Sequence, residues 1–271
     1  MNIIEYFSKG KSYNDEENED GLYQDENFIA VIDGVTDKDS TYAWKEKPGK
    51  VCKDIIMKSI SLLPYDINAN DFFNAITDAI SAQYQENKDF FITNNNDRLQ
   101  ATIILFSAYW QEIWIYGDSK CLINHVEINN EKEIDKINSE IRSQVLALYY
   151  KINNIPFSQI LEEDIGREAI LPLLKNQSKL ANYNHEFGYP VLDGINFNHH
   201  YLKKITVSPN DTIVLASDGY PVLKNSLIES EKYLESIIEL DPMMFHQYKS
   251  TKGIKKNQSS YDDRTYIKFI V

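Results

Sequence analysis

The apolar runs of this chain are short, and several of them stop or start at an acidic motif. Phe28 to Ile32 ends at Asp33-Gly34, Ile213 to Ala216 ends at Ser217-Asp218-Gly219, and Tyr266 to Val271 follows Asp262-Asp263-Arg264-Thr265. A further acidic motif, Asn18-Glu19-Asp20-Gly21, stands nearer the N-terminus. Runs of this length read as strands, and carboxylates at strand ends can converge on one edge of a sheet. Clustered without Lys or Arg they repel one another, and the arrangement holds only if cations neutralise it. Ligand sets made only of oxygen suit hard ions such as Mg²⁺ and Mn²⁺, and a pair of such ions activates water against phosphorus. The constellation points to metal-dependent phosphoester hydrolysis.

The overall charge narrows the alternatives. With 41 acidic and 28 basic residues the net charge is −13, which speaks against a general nucleic-acid binder. No apolar run approaches the roughly 18–20 residues that span a bilayer, and Met1 to Gly10 lacks the basic-then-apolar pattern of a secretory signal. A cytoplasmic protein without a membrane partner is expected. Cys52 and Cys121 lie far apart in apolar surroundings and read as buried free thiols of a reducing compartment.

Ile3 to Phe7 and Phe28 to Ile32 read as strands. Pro48 opens a helix with Val51, Ile55, Ile56, Ile60 and Leu63 on one face, and Pro64 stops it. A second helix is expected over about Ala69 to Glu86, capped by Asn68 or Asn70. Ala101 to Tyr109, Glu112 to Gly117 and Cys121 to Ile128 read as an antiparallel meander. Glu131 to about Lys175 reads as two helices split near Asn153 to Pro156, the second capped by Ser158. After a loop, strands return at Tyr201 to Val207 and Asp211 to Ala216, then a helix at Leu227 to Leu240 and a last strand from Arg264. This order suggests antiparallel sheets flanked by helices, and no Gly-rich phosphate loop supports a Rossmann fold.

Five motifs in this order resemble the metal-dependent protein phosphatases of the type 2C (PPM) family, in its compact bacterial branch. They are Asn18-Glu19-Asp20, Ala30-Val31-Ile32-Asp33-Gly34, Gly117-Asp118-Ser119, Leu215-Ala216-Ser217-Asp218-Gly219 and Asp262-Asp263-Arg264-Thr265-Tyr266. The resemblance covers nearly the whole chain. It implies an α+β fold, a four-layer α-β-β-α sandwich of two antiparallel sheets flanked by helices. Residues 1–271 would form one domain, with a helical, flap-like insert at about 129–200 that shapes access to the site. It further implies that Asp33 bridges two Mn²⁺ or Mg²⁺ ions. Asp218 and Asp262 would complete the shell of one, and Glu19 with the Gly34 carbonyl that of the other, with Asp20 close by. Asp118 and Asp218 would hold a third, weaker ion. Asp33, Asp218 and Asp262 would then be the catalytic set, and the partner a phosphoserine or phosphothreonine protein.

Three places depart from the family's pattern. Asp15 and Glu16 occupy the stretch where a phosphate-binding Arg is common, and Lys11 is the nearest cation. Val35-Thr36-Asp37 follow Asp33-Gly34 where a Met or His and two Gly are common. The segment before the middle strands is reduced to Gln100-Ala101-Thr102. Two rival readings follow: a catalytically weak or inactive type 2C-like module that binds a phosphoprotein or regulatory partner, and a hydrolase of a small phosphorylated metabolite. The histidines His125, His185, His199, His200 and His246 lack zinc spacing and read as surface residues.

Overall fold

The computed structural model describes residues 1–271 apart from Asp39, Asn129, Phe157, Ser158, Ile160 and Leu161. In chain order the strands are β1 (Asn2–Lys9), β2 (Asp20–Gln24), β3 (Phe28–Gly34), β4 (Ala101–Ser107), β5 (Glu112–Tyr116), β6 (Lys120–Ile123), β7 (Val126–Ile128), β8 (Lys203–Thr206), β9 (Thr212–Ala216) and β10 (Arg264–Ile270). The helices are α1 (Pro48–Ile60), α2 (Ala69–Ser81), α3 (Lys88–Thr93), α4 (Glu133–Asn153), α5 (Ile165–Asn176) and α6 (Leu227–Leu240).

The strands form two five-stranded antiparallel sheets, ordered β2-β3-β4-β5-β8 and β1-β10-β9-β6-β7. Alternation along β3 and β4 sends side chains to two different cores. Ile29, Val31, Ile104 and Phe106 face inward and meet Ile213, Leu215, Ile267 and Phe269 of the second sheet. Phe28, Ala30, Ile32, Ile103 and Leu105 face outward, under Cys52, Ile56 and Ile60 of α1 and Phe72, Phe73, Ile76 and Ile80 of α2. Burial on both faces is why these two strands read as unbroken apolar runs. Each such side chain contributes roughly 1.5–3 kcal/mol by leaving water, so the central strands are anchored from both sides. The outer face of the second sheet, with Val214, Ala216 and Tyr266, is covered by Tyr220, Leu223 and Leu227 at the start of α6. The fold is thus the sandwich of two antiparallel sheets flanked by helices.

Helices α4 and α5 pack on each other away from the sheets, with Leu146 and Tyr150 against Met243 and Phe245. A Cβ on Gly166 would lie 2.9 Å from the Arg142 carbonyl oxygen, so a glycine lets the two helix backbones approach. The fully buried Arg142 holds the assembly together. Its guanidinium donates to Asp164 Oδ2 at 2.6 and 3.0 Å and to the carbonyls of Met243 (2.8 Å), Met244 (3.1 Å) and Ser250 (2.9 Å). Asp164 also caps α5, accepting from the Arg167 amide at 2.9 Å. Ser158, the cap expected from the sequence, lies outside the described residues. Asn68, not Asn70, caps α2, which ends at Ser81.

The expected three-strand meander is corrected. The chain from Cys121 to Ile128 is two strands, because Asn124 and His125 both have positive φ (49° and 73°) and close a tight hairpin. Nor does β6 continue the sheet of β5; it pairs with β9 in the other sheet. The change of sheet follows Gly117, whose φ of +134° and close approach to Thr102 no residue with a Cβ accommodates. β2 also has no counterpart among the expected strands.

Candidate metal centre and its cavity

Strand register gathers the acidic motifs. Asp20 on β2 stands directly opposite Asp33 on β3. Lys120 of β6 pairs with Ala216 of β9, so Asp118 and Asp218, each two residues beyond that pair, emerge at the same end of the sheet. Tyr266 pairs with the same Ala216, which brings the residues preceding β10, Asp262 and Asp263, alongside. Carboxylate oxygens of Asp33, Asp118 and Asp218 all lie within 4.8 Å of one another. Asp33, Gly34, Asp118, Asp218 and Asp262 line one cavity of about 230 Å³. Glu19 and Asp20 are buried behind it.

Like charges directly opposite in a sheet are destabilising, and here they are also desolvated. Burial, then Asp218, Asp20, Asp262 and Asp118, holds the Asp33 carboxyl well above the usual aspartate range. Burial and the neighbouring Asp263 do the same to Asp20. Asp218 is pushed up to about 7 by burial, Asp262 and Asp118. Glu19 is raised too, because burial outweighs Lys11 and the Thr36 hydroxyl beside it. Glu19 Oε1, Asp20 Oδ2 and Asp118 Oδ1 are buried without a hydrogen-bond partner. Buried carboxylate oxygens left without a donor fit a hard divalent cation such as Mn²⁺ or Mg²⁺. The first turn of α1 packs against them: a Cβ on Gly49 would sit 2.6 Å from Glu19 Oε1.

The expectation of carboxylates clustered without Lys or Arg is corrected. Lys11 Nζ lies 3.4 Å from Glu19 Oε2, 3.4 Å from Asp262 Oδ1 and 3.2 Å from Asp263 Oδ2, and donates to Thr36 Oγ1 at 3.0 Å. Lys252 pairs with Asp262 Oδ2, and Lys132 with Asp118 Oδ2 at 2.8 Å. Long side chains from remote segments can reach a cluster that no local spacing reveals, and each such contact relieves part of the repulsion. Burial opposes the charge of Lys11, but Asp262, Asp263 and Glu19 outweigh it and raise the ammonium above its ordinary value. Burial likewise would raise Asp262, yet Lys252 and Lys11 bring it below the usual range. Asp263 is turned to structural work, accepting from the Lys11 amide at 2.7 Å and the Glu19 amide at 3.3 Å.

Sequence reasoning also missed the opposite wall. It carries Lys38, Lys132, Lys136, Arg167, Lys249 and Lys252, with Glu131 and Asp135 between them. Burial, opposed by Asp135 and reinforced by Lys132, Arg167 and Lys252, pushes Lys38 down to about 8. The one sequence signal was the recurrence of Lys249, Lys252, Lys255 and Lys256 within eight residues of an acidic chain. All five histidines are exposed, and none is among the described residues lining the cavity. Ser217 Oγ accepts from the Thr265 amide at 2.9 Å and joins β9 to β10.

No protein-family model and no curated protein sequence matches this chain. Among solved structures it is similar, over its whole length, to bacterial serine/threonine phosphatases. The catalytic domain of the serine/threonine protein phosphatase PstP in complex with two manganese ions is 14% identical, covers 100% of both chains and has a TM-score of 0.49. The phosphatase Stp1 from Staphylococcus aureus is 12% identical, with 100% of this chain and 95% of that one covered and a TM-score of 0.48. RsbX in complex with magnesium is 10% identical, with 98% and 96% covered and a TM-score of 0.46. At these values the likeness carries no functional weight by itself.

Proposed function

We propose that the protein is a metal-dependent serine/threonine phosphoprotein phosphatase. The observation that carries this reading is the trio Asp33, Asp118 and Asp218 at the ends of strands, its carboxylate oxygens within 4.8 Å, opening into a cavity whose far wall is basic. Asp33, Asp118, Asp218 and Asp262, with the Gly34 carbonyl, Glu19 and Asp20, are the residues that would hold Mn²⁺ or Mg²⁺. Bound there, such ions supply a water nucleophile at neutral pH and neutralise charge on a phosphoryl group.

The chain's own residues do the rest. The strand ends hold the carboxylates in fixed register, so their oxygens are aimed before substrate arrives. Lys132 and Lys252 stand at the junction of the acidic and basic walls, where the oxygens of a phosphomonoester would lie, and take the place of the Arg that the N-terminal acidic stretch lacks. No histidine lines the cavity among the described residues, so the leaving alkoxide takes its proton from water or from another group of the cavity. A cytoplasmic setting and a single domain spanning residues 1–271, with an insert at about 129–200, belong to the same proposal. Among the described residues no helix is long and apolar enough to cross a membrane.

The test is hydrolysis of p-nitrophenyl phosphate and a phosphothreonine peptide with Mn²⁺, with Mg²⁺ and with EDTA, for wild type beside Asp218→Asn. Metal-dependent turnover lost in the variant supports the reading. No turnover with either metal, while calorimetry still registers Mn²⁺ binding, sinks it in favour of a phosphoprotein-binding module.

A further inference from the structure

The basic wall holds more positive charge than the carboxylates opposite it use. Lys132 is paired with Asp118, Lys252 with Asp262, and Lys249 with Glu140 at 2.5 Å. Lys38 follows β3, Lys136 lies on α4 and Arg167 on α5, and all three line the cavity. The ammonium groups of Lys38 and Lys136 have no hydrogen bond or ion pair among the described residues. Arg167 gives Nη1 to the Thr251 carbonyl at 2.8 Å and is otherwise directed to the cavity. Asp135 is the acid set among them, and its Oδ1 already accepts from Gln177 Nε2 at 3.1 Å.

Lys38, Lys136 and Arg167 reach one cavity from three parts of the chain, and the charge of Arg167 opposes that of Lys38 there. Arg142 ties α4, the cap of α5 and the segment leading to Lys252 together through six donated bonds, so Lys136 and Arg167 cannot simply spread apart. An anion relieves the repulsion, and a guanidinium favours a planar or tetrahedral oxyanion that it can grip through two N–H groups. At about 230 Å³ the cavity is smaller than the roughly 300–1,000 Å³ of pockets that enclose whole small molecules. It suits the tips of side chains presented by a longer chain.

Resting on the phosphatase reading above, we propose that Lys38, Lys136 and Arg167 form a second anion subsite. The preferred substrates are phosphopeptides that carry another phosphate or a carboxylate close in sequence to the phosphoresidue being hydrolysed.

The experiment compares kcat/KM on one phosphothreonine peptide in three forms, flanked by Ala, by Glu or by a second phosphoresidue. Wild type, Lys38→Ala, Arg167→Ala and Arg167→Lys are measured at fixed Mn²⁺. Hydrogen bonds to charged groups lead us to expect wild type to favour the doubly anionic peptides by roughly tenfold to a hundredfold. In Lys38→Ala and Arg167→Ala that ratio falls at least severalfold, with turnover of the Ala-flanked peptide falling much less, and Arg167→Lys recovers part of it. Equal rates on all three peptides in wild type, or a preference that survives both alanine variants, overturns the proposal. So does faster hydrolysis of a small polyphosphorylated alcohol than of any peptide. If wild type hydrolyses neither these peptides nor p-nitrophenyl phosphate, the phosphatase reading has failed on its own. Fluorescence anisotropy of the same labelled peptides then decides the subsite: tighter binding of the doubly phosphorylated form, lost in Arg167→Ala, supports it, and equal binding overturns it.

Discussion

The two walls of the cavity are built by different means. The acidic wall is made of strand ends, and its positions follow from pairings such as Asp20 opposite Asp33 and Lys120 opposite Ala216. Behind it lie strands packed on both faces. The basic wall is made of α4, α5 and the coil from Tyr248 to Lys252, joined by a small apolar cluster of Leu146, Tyr150, Met243 and Phe245 and by one buried guanidinium. A wall that shares the large sheet cores opens only when the sheet does, whereas a wall held by a small cluster and a polar tie of its own can loosen alone. On the proposed reading, the metal-binding chemistry sits on the rigid half and the selection of substrate on the half that can be retuned.

The comparison can be broken from either side. Asp33→Asn removes a central carboxylate of the rigid wall. Turnover with Mn²⁺ should fall by roughly a thousandfold, while the melting temperature of the metal-free protein stays or rises, because a repelling charge is gone. Steady-state kinetics and calorimetry check both halves, and wild-type turnover in this variant would mean that Asp33 holds no metal.

Arg142→Met attacks the other wall. It leaves Asp164 and three carbonyls without their donor, and breaking a buried pair of this kind costs about 3–5 kcal/mol. Hydrogen exchange should quicken in α4, α5 and 243–252 before it quickens in β3 and β4. Loss of protection spread evenly over the chain would erase the distinction between the walls.

Proton linkage gives a third probe. The folded-state values of Asp33, Asp20 and Asp218 are raised, so their contribution to stability is complete below the ordinary aspartate value. It is lost as pH rises through the folded values, for Asp218 up to about 7. Asp262 has the opposite sign; its contribution is lost only as pH falls through a value below the usual one, outside this window. With EDTA present, the melting temperature should therefore drop by several degrees between about pH 5 and about pH 8. Saturating Mn²⁺ should remove or reverse the drop, since the ion competes with protons for the same oxygens. A metal-free protein that grows more stable over that range would contradict the assignment of buried, mutually repelling carboxylates.

The smallest effect expected is that of Lys11→Met. Removing the ammonium among Glu19, Asp262 and Asp263 should lower metal-free stability by about 1–3 kcal/mol, the cost of leaving buried acceptors without their donor, and enlarge the stabilisation that Mn²⁺ brings. Thermal melts with and without Mn²⁺ check it, and an unchanged increment would show that Lys11 does not compete for those oxygens.

The contrast between the walls also explains what could be read from the amino acids. Strands β3, β9 and β10 and helices α1 and α6 announce themselves by apolar runs and helix spacing, and the acidic motifs are tied to those strand ends. That made antiparallel sheets flanked by helices and the strand-end place of Asp33 and Asp218 legible, while the stacking of the sheets into a sandwich and the joining of Asp118 to the cluster came from the resemblance of the five motifs. Which sheet a strand joins was not, because adjacency in sequence does not name a partner: β6 crosses to β9 after the single backbone turn at Gly117. The lysines escaped for a related reason. Lys11, Lys132 and Lys252 reach the carboxylates from segments with no common spacing, and Lys38, Lys136 and Arg167 meet only once α4 and α5 are folded over the site.

The most direct test of the central claim is a crystal of the protein grown with Mn²⁺ and measured for anomalous scattering at the manganese edge. A peak is expected among the carboxylates of Asp33, Asp118 and Asp218, with Lys132 drawn away from Asp118. Density that shows no manganese there, with Lys132, Lys252 and Lys11 still closed on their carboxylates, would contradict it.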